Sequence, residues 1–268
     1  MLQTAQAGSR MSDAQLSIDR LKKVYETDDG DLLALNETSF TIGKGEFVSV
    51  LGPSGCGKST LLLMAAGLEK SSGGSVTIGG KTVQKPFTDI GIVFQEHALY
   101  EWRTVLENIM LQAEIRRLPK ESMQIRAYEL LEQTGLREFA NKYPSELSGG
   151  MRQRAAICRA LVHDPSVLFF DEPFGALDAL TREQMRIDLE KMWLKRRPTV
   201  LFITHGIAEA VALSDRIIVM TPRPGQVDEI ITVDLPRPRT KEVLSSKKFV
   251  EYCDRITESF MRRGIIKY

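Results

Sequence analysis

Apolar positions along the chain change their spacing near Thr104. Before it they form short runs, Leu16 to Leu21, Leu33 to Ile42 and Glu46 to Leu51, parted by polar turns such as Asp28-Asp29-Gly30-Asp31, and strands are expected there. A helix should open around Lys58. From Thr104 the pattern is helical: Thr104-Val105-Leu106-Glu107 reads as a capping box, and Leu118-Pro119 breaks the run before a second helix. Val167 to Phe170 is a continuous apolar run ending in turn signals, as in a strand buried on both faces of a parallel sheet. Met185, Leu189, Met192 and Trp193 then fall on one helical face, and Lys195-Arg196-Arg197 sit at that helix's negative end before Pro198 stops it. With a further strand at Thr199 to Ile203 the order is β, α, β, which predicts an α/β core with right-handed crossovers and a helical subdomain at about 96–160.

Composition narrows the function classes. Thirty-six basic against 35 acidic residues give a net charge of +1, so no global field draws the chain to nucleic acid or anionic lipid. No run approaches the roughly 20 apolar residues that span a bilayer, so a membrane role needs partners. Residues 1–14 are Gln, Ala and Ser rich without the apolar segment of a secretory signal, and read as a disordered leader. Three cysteines without paired spacing fit a reducing compartment, so a cytoplasmic location is expected. Thr221 to Gly225 and Leu235 to Thr240 read as exposed turns, and Pro236-Arg237-Pro238-Arg239 as a solvated, extended linker.

The first chemical signal is Gly52-Pro53-Ser54-Gly55-Cys56-Gly57-Lys58-Ser59, followed by Thr60, between a strand and a helix. It matches G-x-x-x-x-G-K-[ST]: glycines let successive N–H groups curl toward phosphate oxygens, and the helix N-terminus adds partial positive charge. Lys58 would hold the β and γ phosphates and Ser59 would ligate magnesium. Cys56 reads either as a thiol that ATP shields from alkylation or as a small residue that fits. The second signal is Asp171-Glu172 at the end of an apolar strand, where Asp171 would face Mg²⁺ and Glu172 would polarise the attacking water.

Leu147-Ser148-Gly149-Gly150-Met151-Arg152-Gln153-Arg154 narrows this to one family, since it resembles the signature motif of ABC ATPases. Ser148, Gly149 and Gly150 would make a second anion site at a helix start, serving a nucleotide held by another copy of the chain. The resemblance implies a P-loop NTPase cassette with a RecA-like core, an antiparallel β subdomain and a helical signature subdomain, over 15–235, with 236–268 as a C-terminal extension. It further implies Tyr25 as the aromatic on adenine, against the alternative of a core tyrosine. Gln95 resembles the glutamine that reaches magnesium and senses a permease, Asp178 the D-loop acid that signals across a dimer, and His205 the switch histidine on the γ-phosphate.

Thr221-Pro222-Arg223-Pro224-Gly225 and Asp234 to Arg239 resemble the nitrate, sulfonate and taurine importer subgroup. Gly206 stands where an Asp often follows the switch histidine, and Glu101 where the subgroup usually has Pro. The resemblance therefore implies an ATP- and Mg²⁺-dependent homodimer on the cytoplasmic face of the plasma membrane, attached to permease subunits and served indirectly by an external solute-binding protein, with no nucleic-acid partner. Leu99, Tyr100 and Trp102, near Gln95 and His97, would line the permease groove or else pack the subdomain core. The competing class is an ABC ATPase acting on ribosomes or nucleic acid.

Overall fold

The structure is a computed structural model that describes residues 14–266. These residues form two compact units, one made of the chain up to Thr88 together with the chain from Pro198 onward, the other of Asp89–Arg197. Apart from Ala14, the predicted leader lies outside the described residues.

The first unit opens with a hairpin of β1 (Ala14–Thr27) and β2 (Gly30–Gly43), whose turn is closed by Gly30 at φ 108°, a left-handed conformation that suits glycine. Strand β3 (Phe47–Leu51) is buried at every residue and feeds α1 (Lys58–Ala65). Strands β4 (Gly73–Ile78) and β5 (Lys81–Thr82) complete an antiparallel sheet in the order β2-β1-β4-β5.

The second unit begins with β6 (Ile90–Val93) and continues through α2 (Val105–Arg116), α3 (Lys120–Gln133) and α4 (Gly149–Leu161). Its last elements are β7 (Val167–Asp171), parallel to β6, and α5 (Ala179–Arg196). The capping box at Thr104 forms as the sequence predicts, with Glu107 N donating to Thr104 Oγ1 at 3.3 Å and Thr104 N to Glu107 Oε2 at 2.8 Å. Val105, Ile109, Ala127, Leu131, Leu136 and Ala155 bury the faces of α2, α3 and α4 in one core. Met185, Leu189, Met192 and Trp193 of α5 are all buried.

Returning to the first unit, the chain forms β8 (Thr199–Thr204), α6 (Ile207–Leu213), β9 (Arg216–Met220) and β10 (Val227–Thr232). Strand β3 lies between β8 and β9, parallel to both, and β10 pairs antiparallel with β9. Helices α7 (Lys241–Leu244) and α8 (Lys247–Arg262) follow, and Ile256 and Phe260 of α8 join Ala210 and Val211 of α6 and Leu51 of β3 in a second core. The expected solvated linker is corrected here. Arg239 is 2% exposed and donates to the Val211 carbonyl, while Arg237 donates to Asp215 Oδ1 at 2.9 Å and to the Leu213 carbonyl at 2.5 Å. Both guanidinium groups find acceptors at the end of α6 and just beyond it, so the segment is tied down with only its prolines, Pro236 and Pro238, exposed.

Candidate nucleotide site

The phosphate loop joins the buried end of β3 to the first turn of α1, and each tight position has a visible cause. A Cβ on Gly57, at φ 93°, would stand 2.9 Å from the Ala34 carbonyl oxygen, so the loop can lie on β2 only with glycine there. A Cβ on Gly52 would meet Cys56 Sγ at 3.0 Å and Met220 Cβ at 3.1 Å. Cys56 is 1% exposed, so its thiol is already sheltered and does not need ATP to protect it. That corrects the shielding reading and leaves the small residue that fits.

Lys58 is buried, with Nζ donating to the carbonyls of Gly52 at 3.0 Å and Pro53 at 2.9 Å. Ser54, Gly55 and Ser59 are exposed at the mouth of the loop, and α1 has no acidic residue in its first turn to oppose an anion. Tyr25 stands beside this loop, half-buried, with its hydroxyl 3.4 Å from Thr60 Oγ1 and Lys23 Nζ 4.6 Å from its ring centre. His205 is exposed at the end of β8, and the loop it opens is fixed by Thr204, whose Oγ1 accepts from Gly206 N at 2.9 Å and donates to Glu209.

The second unit holds the remaining predicted residues in two groups. Asp171 ends β7 and Glu172 follows at φ 46°, a left-handed conformation that costs a non-glycine residue about 1–2 kcal/mol. Gly175 N donates to the Glu172 carbonyl at 3.1 Å, and a Cβ on Gly175 would lie 3.5 Å from Gln95 Nε2, so Gln95 reaches the turn that carries Glu172.

In the other group Ser148 caps α4, accepting from Met151 N at 3.3 Å. A Cβ on Gly149 would meet nothing within 4 Å, whereas one on Gly150 would strike Thr181 Cγ2 at 2.5 Å. One signature glycine is thus open to an approaching group, and the other is demanded by packing. Asp178 caps α5, accepting from the backbone N–H groups of Leu180 and Thr181, each at 3.1 Å. The hydrogen bonds from Thr181, side chain first and backbone second, hold its carboxyl below the usual range.

Between these groups runs the segment after Gln95. Arg152, one turn into α4, donates Nε to His97 Nε2 at 2.7 Å and a terminal nitrogen to the Leu147 carbonyl at 2.7 Å. Arg159 donates to the His97 carbonyl at 2.9 Å and to the Ala98 carbonyl at 2.5 Å. Buried Asn108 accepts from Tyr100 N at 2.8 Å and donates to the carbonyls of Tyr100, Arg103 and Thr104. On this pinned segment Leu99 packs into the helical core, but Tyr100 and Trp102 stack on each other, 4.8 Å between ring centres, with Trp102 72% exposed.

Sequence reasoning passed over Asn108, Thr204 and Glu209, each of which holds a predicted site segment in shape; a buried Asn four residues into a capped helix was the one readable sign.

The ABC transporter family profile matches residues 35–175, which include the phosphate loop, Gln95, the signature corner and the acid pair. The chain belongs to the ABC transporter ATP-binding family. An uncharacterized ABC transporter ATP-binding protein of Methanocaldococcus jannaschii is 43% identical over 90% of this chain and 90% of its own. The aliphatic sulfonates import ATP-binding protein SsuB of Bacillus cereus is 41% identical over 94% of this chain and 98% of its own. Among solved structures, a bacterial ABC transporter cassette determined as a dimer is 34% identical with a TM-score of 0.72, covering 81% of this chain and 98% of that one. The same cassette is also known in a post-hydrolysis state bound to ADP and phosphate.

This ABC subunit is therefore an α/β P-loop ATPase with a RecA-like core, an antiparallel β subdomain and a helical signature subdomain. ATP is its nucleotide. Among the described residues no helix is long and apolar enough to cross a membrane, and no three His, Cys, Asp or Glu side chains cluster as a metal site. Ser59, Asp171 and Gln95 carry a hydroxyl, a carboxylate and an amide oxygen, the hard donors that magnesium takes.

Proposed function

We propose that this ATPase powers an importer: two copies close over ATP beneath a transmembrane permease and drive uptake of an aliphatic sulfonate or a related small solute such as nitrate or taurine. Similarity to SsuB over nearly the whole of both chains supports the solute class. The observation that carries the transport reading is the stacked Tyr100–Trp102 pair, a large apolar surface exposed on a segment that Arg159 and Asn108 hold rigid. Rigid aromatic anchors suit a short permease helix, because little freedom is lost on docking.

In the closed dimer, Lys58 and the loop amides would bind the β and γ phosphates, Tyr25 would face the adenine, and Ser59, Gln95 and Asp171 would hold magnesium. Magnesium, when bound, neutralises charge on the phosphates. Glu172 takes the proton of the attacking water, His205 orients Glu172 and contacts the γ-phosphate, and Ser148 and Gly149 come from the opposite copy to the same phosphate. The open environment of Gly149 supports that last role. Moving the dimer from mostly open to mostly closed needs about 5.5 kcal/mol of differential binding, within reach of two shared nucleotides.

The test is subunit mixing. A Ser148→Ala copy mixed with a Lys58→Ala copy should regain ATPase activity through one intact composite site, while each variant alone stays inactive. If no mixture regains activity although wild-type monomers hydrolyse ATP at full rate, the shared site is wrong. Trp102→Ala should leave ATPase in detergent-free solution unchanged and abolish sulfonate uptake with the reconstituted permease; unchanged uptake would remove the docking role.

A further inference from the structure

The turn Thr221–Gly225, which the sequence marks but the ATPase mechanism leaves without a task, is built against the outer wall of the phosphate loop. Arg223 donates Nε to the Gly55 carbonyl at 3.2 Å, and a Cβ on Gly55 would lie 3.4 Å from the guanidinium. Gly225 lies so close to the Cys56 carbonyl that a Cβ there would overlap it. The turn is also stitched to β2: Gly225 N donates to the Ala34 carbonyl at 3.2 Å, and Asn36 N donates to the Gly225 carbonyl at 2.8 Å. Asn36 Nδ2 donates to Gln226 Oε1 at 3.1 Å.

Thr221 fixes the turn's own shape, its hydroxyl donating to the Pro224 carbonyl at 3.1 Å and accepting from Gln226 N at 3.1 Å. Since Gly57 presses on the Ala34 carbonyl as well, β2, the turn and the phosphate loop form one packed wedge within the first unit.

We infer that Arg223 is a positioning residue for ATP, acting on the phosphates through the Gly55–Cys56 peptide rather than by touching them. In a phosphate loop successive N–H groups face the anion, and here the Gly55 carbonyl is turned to Arg223. A cation on the Gly55 carbonyl polarises that peptide and makes the Cys56 N–H a stronger donor to phosphate, the cooperativity of linked hydrogen bonds. It also fixes the peptide plane, so less ordering remains to be done when nucleotide binds. Gly225 does the same for the next peptide by filling the space behind the Cys56 carbonyl, which leaves room for no side chain.

The experiment is equilibrium binding of ATP and ADP together with steady-state ATPase on Arg223→Ala and Arg223→Lys, with thermal unfolding as the control. Arg223 is exposed, so both variants should fold with an unchanged melting temperature. For Arg223→Ala, Kd and KM should rise about three- to tenfold for both nucleotides, the worth of one charge-assisted hydrogen bond, while kcat at saturating ATP stays within about twofold. Arg223→Lys, which keeps the cation, should recover more than half of the lost affinity. Gly225→Ala should weaken ATP more than Arg223→Ala does. Unchanged affinity in Arg223→Ala overturns the inference. A fall in kcat together with melting temperature, alike in both arginine variants, also overturns it, because that is the mark of a merely structural residue.

Discussion

Gly150→Ala is expected to destabilise the protein, and removing one methyl group from Thr181 is expected to reverse the sign. The new Cβ would sit 2.5 Å from Thr181 Cγ2, far inside the roughly 3.5–4.0 Å at which carbon atoms attract. Threonine cannot swing that methyl away easily, because two substituents on its Cβ leave few χ1 choices and Thr181 also serves the Asp178 cap. Overpacking of this kind costs about 1–3 kcal/mol, whereas alanine is favoured over glycine in a helix by up to about 1 kcal/mol. The net effect in the parent chain is therefore a loss of up to about 2 kcal/mol. In a Thr181→Ser background the clash is absent and the same change should stabilise by up to about 1 kcal/mol. Urea unfolding followed by helix circular dichroism, with the four members of the cycle compared at equal m-value, reads both numbers. If Gly150→Ala shifts the midpoint equally in the two backgrounds, the α4–α5 contact does not dictate this glycine.

Three further outcomes follow from the site and its surroundings. Glu172→Gln should bind ATP normally but release phosphate at least about 10²-fold more slowly, as expected for loss of a general base; retained turnover in a phosphate-release assay excludes that role. Cys56 and Cys158, both buried, should react with a thiol reagent only on unfolding, at rates indifferent to Mg-ATP; protection of Cys56 by nucleotide in the native protein would show a loop more open than described. His163 is held to about 4, by burial first and by the Arg116 charge second, while its Nε2 bonds the Ile90 carbonyl. The unfolded chain protonates near 6.5 and the folded one near 4, so stability should be full above pH 6.5, fall as pH drops toward 4, and level off below. His163→Gln should flatten that limb of a denaturation midpoint against pH curve, and an unaltered slope would assign acid loss elsewhere.

The nucleotide machinery was readable because its residues are contiguous and sit at junctions that the hydrophobic pattern already marks. The buried strand Phe47 to Leu51 points straight at Gly52, and Val167 to Phe170 points at Asp171 and Glu172. What stayed hidden depends on partners distant in the chain. Arg237 and Arg239 look like solvent-facing charges in a proline-rich stretch until Asp215 and the carbonyls of Leu213 and Val211 are brought to them. The inward turn of Cys56 and the wedge at Gly225 are likewise fixed by Met220, Ala34 and Asn36, none of them local to the phosphate loop. Helix α8 was a different kind of omission: Phe249, Tyr252, Cys253, Ile256 and Phe260 follow helical spacing and were legible, but lay beyond the motifs. Short β4 begins in Gly73-Gly74-Ser75, which carries little apolar pattern, and is held by pairing with β1, while the two-residue β5 is held by β4.

Strand β3, which presents the phosphate loop, has β8 on one side and β9 on the other, and the chain supplies both only after Pro198. During synthesis this largely apolar segment emerges early with neither edge matched, and it must wait for most of the polypeptide before it can settle. A ribosome stalled before Thr199 would thus display β3 without either of the strands that flank it in the finished sheet.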